Sequence, residues 1–168
     1  MRRLIVLFAT LLVTSLVALG QSQTYTSDKV DYSLELPSAT WRVTVEPDGG
    51  HQHTEFIYGD RNDGYLRIRK EAMEPNLTIT EFARRDQEQK VRYLPGYVDG
   101  KEERFAGRLS GVTISYEFTR DGKPMEGRTY YLQADSRTVY ALRFTGQRLK
   151  LGRIRNQTDI IARSFQLK

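Results

Sequence analysis

The stretch His51-Gln52-His53-Thr54-Glu55 is where residue types and spacing could do chemistry. Alternate side chains of an extended strand share a face, so His51, His53 and Glu55 line up together, opposite Phe56 and Tyr58. Two imidazoles and a carboxylate on one face form a donor set for zinc, copper or iron. The competing expectation is a solvated strand end beside the Gly49-Gly50 turn. Arg67 and Arg69 on the following strand would then face the same side and repel a cation.

Other catalytic patterns are missing from the sequence. The chain has no cysteine, which removes thiol nucleophiles, thiolate zinc sites and disulfides. It has neither a Gly-x-Ser-x-Gly elbow nor a phosphate-binding glycine loop. Its two histidines sit together beside a turn, a poor place from which to serve a serine triad. The expectation is a protein that is not an enzyme and needs no cofactor beyond the divalent metal considered above. A second candidate surface is basic: Arg148, Lys150, Arg153, Arg155 and Arg163 gather near the C-terminus. They could meet an acidic protein partner or an anionic membrane surface. A small ligand held between sheet and helix is a third option.

The segment ahead of these candidates reads as an address. Met1-Arg2-Arg3 precedes an apolar run from Leu4 to Leu19 that ends at Ala18-Leu19-Gly20. Positive charge, an apolar stretch and small residues before a cleavage point form a secretory signal over 1–20. A retained anchor is the alternative. Export to the periplasm or the extracellular space follows from the first reading. Removing Arg2 and Arg3 leaves 24 basic against 21 acidic residues, a net charge of +3. That excess is too small to imply nucleic acid. The remaining 148 residues (168 − 20) suit one domain with a core of its own.

Residues 21–29 read as a flexible polar leader, and the domain as 30–168. Tyr32, Leu34 and Leu36 alternate up to Pro37, and Trp41, Val43 and Val45 resume the alternation. Strands follow at Thr54–Tyr58 and Tyr65–Lys70. Thr78-Ile79-Thr80-Glu81 has the form of a capping box, and the helix it opens should reach about Leu94 before Pro95-Gly96. Residues 100–108 read as a short strand or connector around Phe105. Val112, Ile114, Tyr116 and Phe118 alternate cleanly. The hairpin from Arg128 to Gly146 is apolar on both faces of its second strand, where Arg143 alone is charged, and this places it mid-sheet. A last helix lies between Leu149 and Ala162, with Leu151, Ile154, Thr158 and Ile161 as its buried stripe. About seven strands and two helices, mostly in adjacent hairpins, give the class α+β with a mainly antiparallel sheet.

Four pieces in this order resemble a known pattern. They are Tyr32–Pro37 leading to Trp41, the helix ending Leu94-Pro95-Gly96-Tyr97, the block closing Phe144-Thr145-Gly146, and Ala162-Arg163-Ser164-Phe165. The chain is similar over 30–167 to the PsbP-like proteins of the Mog1/PsbP fold. That resemblance implies a central antiparallel sheet between helices, an α/β/α sandwich, and a non-catalytic accessory module. It transfers no site residue.

Overall fold

A computed structural model describes residues 22–168; the signal segment expected over 1–20 lies outside the described residues. The elements run β1 (Gln23–Thr26), β2 (Tyr32–Leu36), β3 (Trp41–Val45), β4 (His53–Tyr58), β5 (Gly64–Ala72), α1 (Ile79–Lys90) and β6 (Val98–Ala106). They continue β7 (Ser110–Arg120), β8 (Lys123–Gln133), β9 (Thr138–Gln147), α2 (Arg148–Arg153), α3 (Arg155–Ser164) and β10 (Gln166–Leu167). Seven strands form one antiparallel sheet in the order β3-β4-β5-β9-β8-β7-β6, and β1-β2-β10 form a small second sheet. The class is α+β, as the sequence suggests.

β9 is the middle strand because both of its faces are apolar. Tyr140, Leu142 and Phe144 enter a large core with Trp41, Phe56, Leu66, the small sheet, and Leu151, Ile154, Ile161 and Phe165. Val139 and Ala141 enter a second core beneath α1, with Ala83, Val112, Ile114 and Tyr131. Each fully buried Phe or Leu contributes roughly 1.5–3 kcal/mol, so β9 is stabilised from both sides. Its Arg143 sits on the α1 face, the one charge admitted to an otherwise apolar strand.

Local chemistry sets the connections. The β7–β8 hairpin turns through Asp121 (φ 51°) and Gly122 (φ 71°), the left-handed pair that a two-residue hairpin requires. At α1 the Thr78 hydroxyl accepts from the Glu81 N–H at 3.2 Å, and the Glu81 carboxylate accepts from the Thr78 N–H at 2.9 Å. The helix closes at Lys90, short of Leu94: Arg92 and Leu94 bond back to Gln87 and Val91 in turns, and Tyr93 is left 85% exposed.

Three further features differ from the sequence reading. Residues 23–26, expected within a flexible leader, form β1 and pair with β2 from Gln23–Leu36 to Thr26–Ser33. Their composition is polar, yet Tyr25 alone anchors the strand, packing edge-on against Phe56 at 4.9 Å. The expected single C-terminal helix is two: Ile154 (φ −103°, ψ 14°) breaks it, while Leu151, Ile154, Thr158 and Ile161 all stay buried. β6 is a full edge strand of nine residues in which Phe105 alone is buried. It carries Asp99, Lys101, Glu102, Glu103 and Arg104, and its pairing with β7 slips between Asp99 and Glu102.

Candidate functional site

His51 and His53 do come together, with ring centroids 5.7 Å apart and edge to face. They line a cleft of about 610 Å³, with Asp31, Asp48, Lys70 and Tyr140. Each is already tied to a carboxylate. His51 Nδ1 lies 3.1 Å from Asp48 Oδ1, and His53 Nε2 lies 3.0 Å from Glu55 Oε1.

Glu55 is engaged by other partners as well. It is buried, and it accepts from the Arg67 guanidinium at 2.8 and 3.1 Å, from Arg61 at 3.2 Å, and from the Tyr65 hydroxyl. Burial alone raises its carboxyl; the Tyr65 and Arg67 hydrogen bonds and the Arg67 and Arg61 charges outweigh that and hold it below the usual carboxylate range. Cross-strand register is the cause, since Glu55 pairs with Arg67 and His53 with Arg69. Among the described residues no group of three or more His, Cys, Asp or Glu side chains is placed to hold a metal ion. His51, His53 and Glu55 therefore do not form a three-ligand set here.

The basic C-terminal surface divides in two. Arg148 pairs with Glu117 at 3.2 Å, and Lys150 pairs with Asp63. Arg153 and Arg155 are exposed and form no ion pair among the described residues. Leu149, flanked in the chain by Arg148 and Lys150, stands 78% exposed. Arg163 is spent on the fold, donating to the Ala106 carbonyl at 2.6 Å.

The other face of the sheet carries a group that sequence reading missed. Asp86 of α1 is only 4% exposed, and it accepts from Arg143 Nη2 at 2.7 Å and the Tyr131 hydroxyl at 2.8 Å. Lys90 Nζ approaches it at 2.6 Å and Arg69 Nη2 at 3.7 Å. Burial pushes the Asp86 carboxyl up, but Lys90, Arg143 and Tyr131 pull harder and hold it below its ordinary value. Beside it, between sheet and helix, lies a cleft of about 310 Å³ lined by Arg61, Arg67, Arg69, Lys90, Arg120 and Arg143, with Tyr65, Tyr116 and Phe118. The cue available in the sequence is Arg143, the lone charge in a strand apolar on both faces.

One sheet with α1 on one face and α2–α3 plus a small sheet on the other defines a three-layer α+β domain. Comparison with solved structures specifies it further: the chain has the Mog1/PsbP fold. The Ran-binding protein Mog1p of Saccharomyces cerevisiae superimposes with a TM-score of 0.62 at 6% identity, over 88% of this chain and 96% of that one. Cyanobacterial PsbP (CyanoP) of a Synechocystis species matches with a TM-score of 0.60 at 13% identity, over 90% and 95% of the two chains. LpqN of Mycobacterium tuberculosis, involved in cell envelope biogenesis, matches with a TM-score of 0.60 at 12% identity, over 88% and 91%. No family model matches the sequence, and no curated protein does.

Proposed function

We propose that this is an exported, non-catalytic accessory domain that binds an acidic protein partner through the α2–α3 face. The carrying observation is Leu149, exposed among cations of which Arg153 and Arg155 have no carboxylate of their own. An exposed apolar side chain with unpaired arginines on the same pair of helices is suited to bury against a partner while the arginines take its carboxylates in forked pairs. Arg148 and Lys150 remain on the rim, held by Glu117 and Asp63. Two structural neighbours support the reading at the level of fold: Mog1p is a Ran-binding protein, and LpqN acts in cell envelope biogenesis. Export rests on the charged, apolar and small-residue order of 1–20.

The test compares immobilised wild-type protein with Leu149→Asp/Arg153→Glu/Arg155→Glu in an extract of exported proteins, alongside co-sedimentation with anionic vesicles. The expected result is a protein retained by the wild type, absent from the triple variant, and eluted at a few tenths molar salt, where the Debye length falls below about 8 Å. Equal retention on both baits, or binding to vesicles alone, refutes it.

A further inference from the structure

Charge around the α1-face cleft does not balance. Arg61, Arg67, Arg69, Lys90, Arg120 and Arg143 line or rim it, and the carboxylates that reach them are Glu55, Glu71 and Asp86. Glu55 is shared by Arg61 and Arg67; Asp86 is shared by Lys90, Arg143 and, more distantly, Arg69. Arg120 has no ion pair among the described residues and lies over the Phe118 ring at 5.4 Å. Like charges held together this way repel unless an anion joins them.

Two polar atoms in the same cleft are buried without a hydrogen-bond partner: the Tyr116 hydroxyl and Arg69 Nη2. Tyr116 is 1% exposed. An unpartnered buried donor is destabilising; outside this cleft, the side-chain amide of Gln87 and Arg128 Nε are also buried without a partner among the described residues. The position of the Tyr116 ring is built in. It lies across β8, directly opposite Gly127, where a Cβ would fall 2.1 Å from its Cζ and 2.5 Å from its hydroxyl oxygen. Tyr97 stacks on its outer side at 5.8 Å. The ring therefore passes over a glycine and carries its hydroxyl toward β9, which bears Arg143 and Thr145 at the cleft. Burial raises that hydroxyl, while the Arg143 and Arg120 charges act on it in the lowering direction.

We propose that this cleft is a binding site for a phosphate-type oxyanion, free or as the end group of a small ester, held by Tyr116, Arg69, Arg120 and Arg143. A dianion suits the charge excess, and planar guanidinium groups match its oxygens in pairs. The cleft volume, near the lower end of small-molecule sites, suits a headgroup with little attached to it. The site lies on the face opposite α2–α3, so it is independent of the partner surface proposed above.

Calorimetric titration of the purified protein with inorganic phosphate, and separately with glycerol 3-phosphate, tests this at ionic strength fixed with sodium chloride. Wild type should show saturable binding of one equivalent of either species. Tyr116→Phe and Arg120→Gln should each weaken it about tenfold or more, the usual effect of losing one hydrogen bond to a charged group. Tyr116→Phe has a second readout. It removes an unpartnered hydroxyl, so its melting temperature without phosphate should equal or exceed that of the wild type, while the rise on adding phosphate shrinks. Tighter binding of the ester assigns the site to an ester end group; equal binding assigns it to the free anion. Absence of saturable binding, wild-type affinity in both variants, or binding confined to phosphatidic acid vesicles overturns the proposal.

Discussion

Asp86→Asn is the sharpest perturbation of this fold. The change keeps the shape of the side chain, so Tyr131 can still donate to an oxygen, but it withdraws the charge that Arg143, Lys90 and Arg69 share. Stranding a cation by deleting its buried partner costs about 3–5 kcal/mol, and the retained hydrogen bond argues for the lower end. About 3 kcal/mol is a large part of the roughly 5–15 kcal/mol that holds a domain together. For a domain of this size it should lower the melting temperature by roughly 10 °C. Urea unfolding followed by circular dichroism gives the free energy, and calorimetry gives the temperature. The pH dependence adds a signature with a definite sign. The folded state depresses the Asp86 pKa, so the unfolded chain binds the proton more tightly. Stability supplied by Asp86 is thus fully present above about pH 4–5 and disappears as pH falls through the folded-state value. Asp86→Asn should flatten that acid limb. Adding Arg143→Gln should return part of the loss, because it removes a stranded guanidinium. A loss under about 1 kcal/mol, an unchanged acid limb, or strictly additive effects of the two substitutions would refute this account of the α1 face.

Two further substitutions test how the site is positioned. Gly127→Ala puts a methyl group where the Tyr116 ring lies, 2.1 Å from its Cζ. It should destabilise by about 1–3 kcal/mol in denaturant unfolding, and an unchanged midpoint would mean that the ring has room to move. Thr78→Ala removes the hydroxyl that caps α1. Its expected loss is about 1 kcal/mol by the same measurement, and a neutral result would show that packing of Ile79, Phe82 and Ala83 holds the helix without its cap.

The sequence was legible where one signal decided the outcome. The two-faced apolarity of β9 placed it mid-sheet, the Thr78–Glu81 spacing placed the start of α1, and Leu151, Ile154, Thr158 and Ile161 marked the buried stripe across α2 and α3. Where several distant segments decide together, local pattern fails. β1 reads as a leader because its one anchoring residue, Tyr25, makes sense only once Phe56 is known to lie opposite. Glu55 looks like a solvated ligand until its register against Arg67 is known, though Arg67 and Arg69 were anticipated on that side. The arginine cleft was the hardest to see. Its residues come from the β4–β5 turn, β5, the end of α1, β7 and β9, and nothing within one segment ties Arg61 to Arg120 or Arg143. In the sequence Asp86 is one charge among many along α1, whereas its burial is what that face is arranged around.

The edge strand β6 has a consequence for how copies of this protein behave in a crowded space. An open sheet ends in a row of free amide and carbonyl groups, which invites another strand to add to it. Here that row is carried by Lys101, Glu102, Glu103 and Arg104, with a slip in register beside Gly100 and one buried residue, Phe105. A second β6 approaching it would have to bring these charges together and match an irregular register. The chain can therefore leave a nine-residue strand uncovered and still resist growing into fibres through that edge.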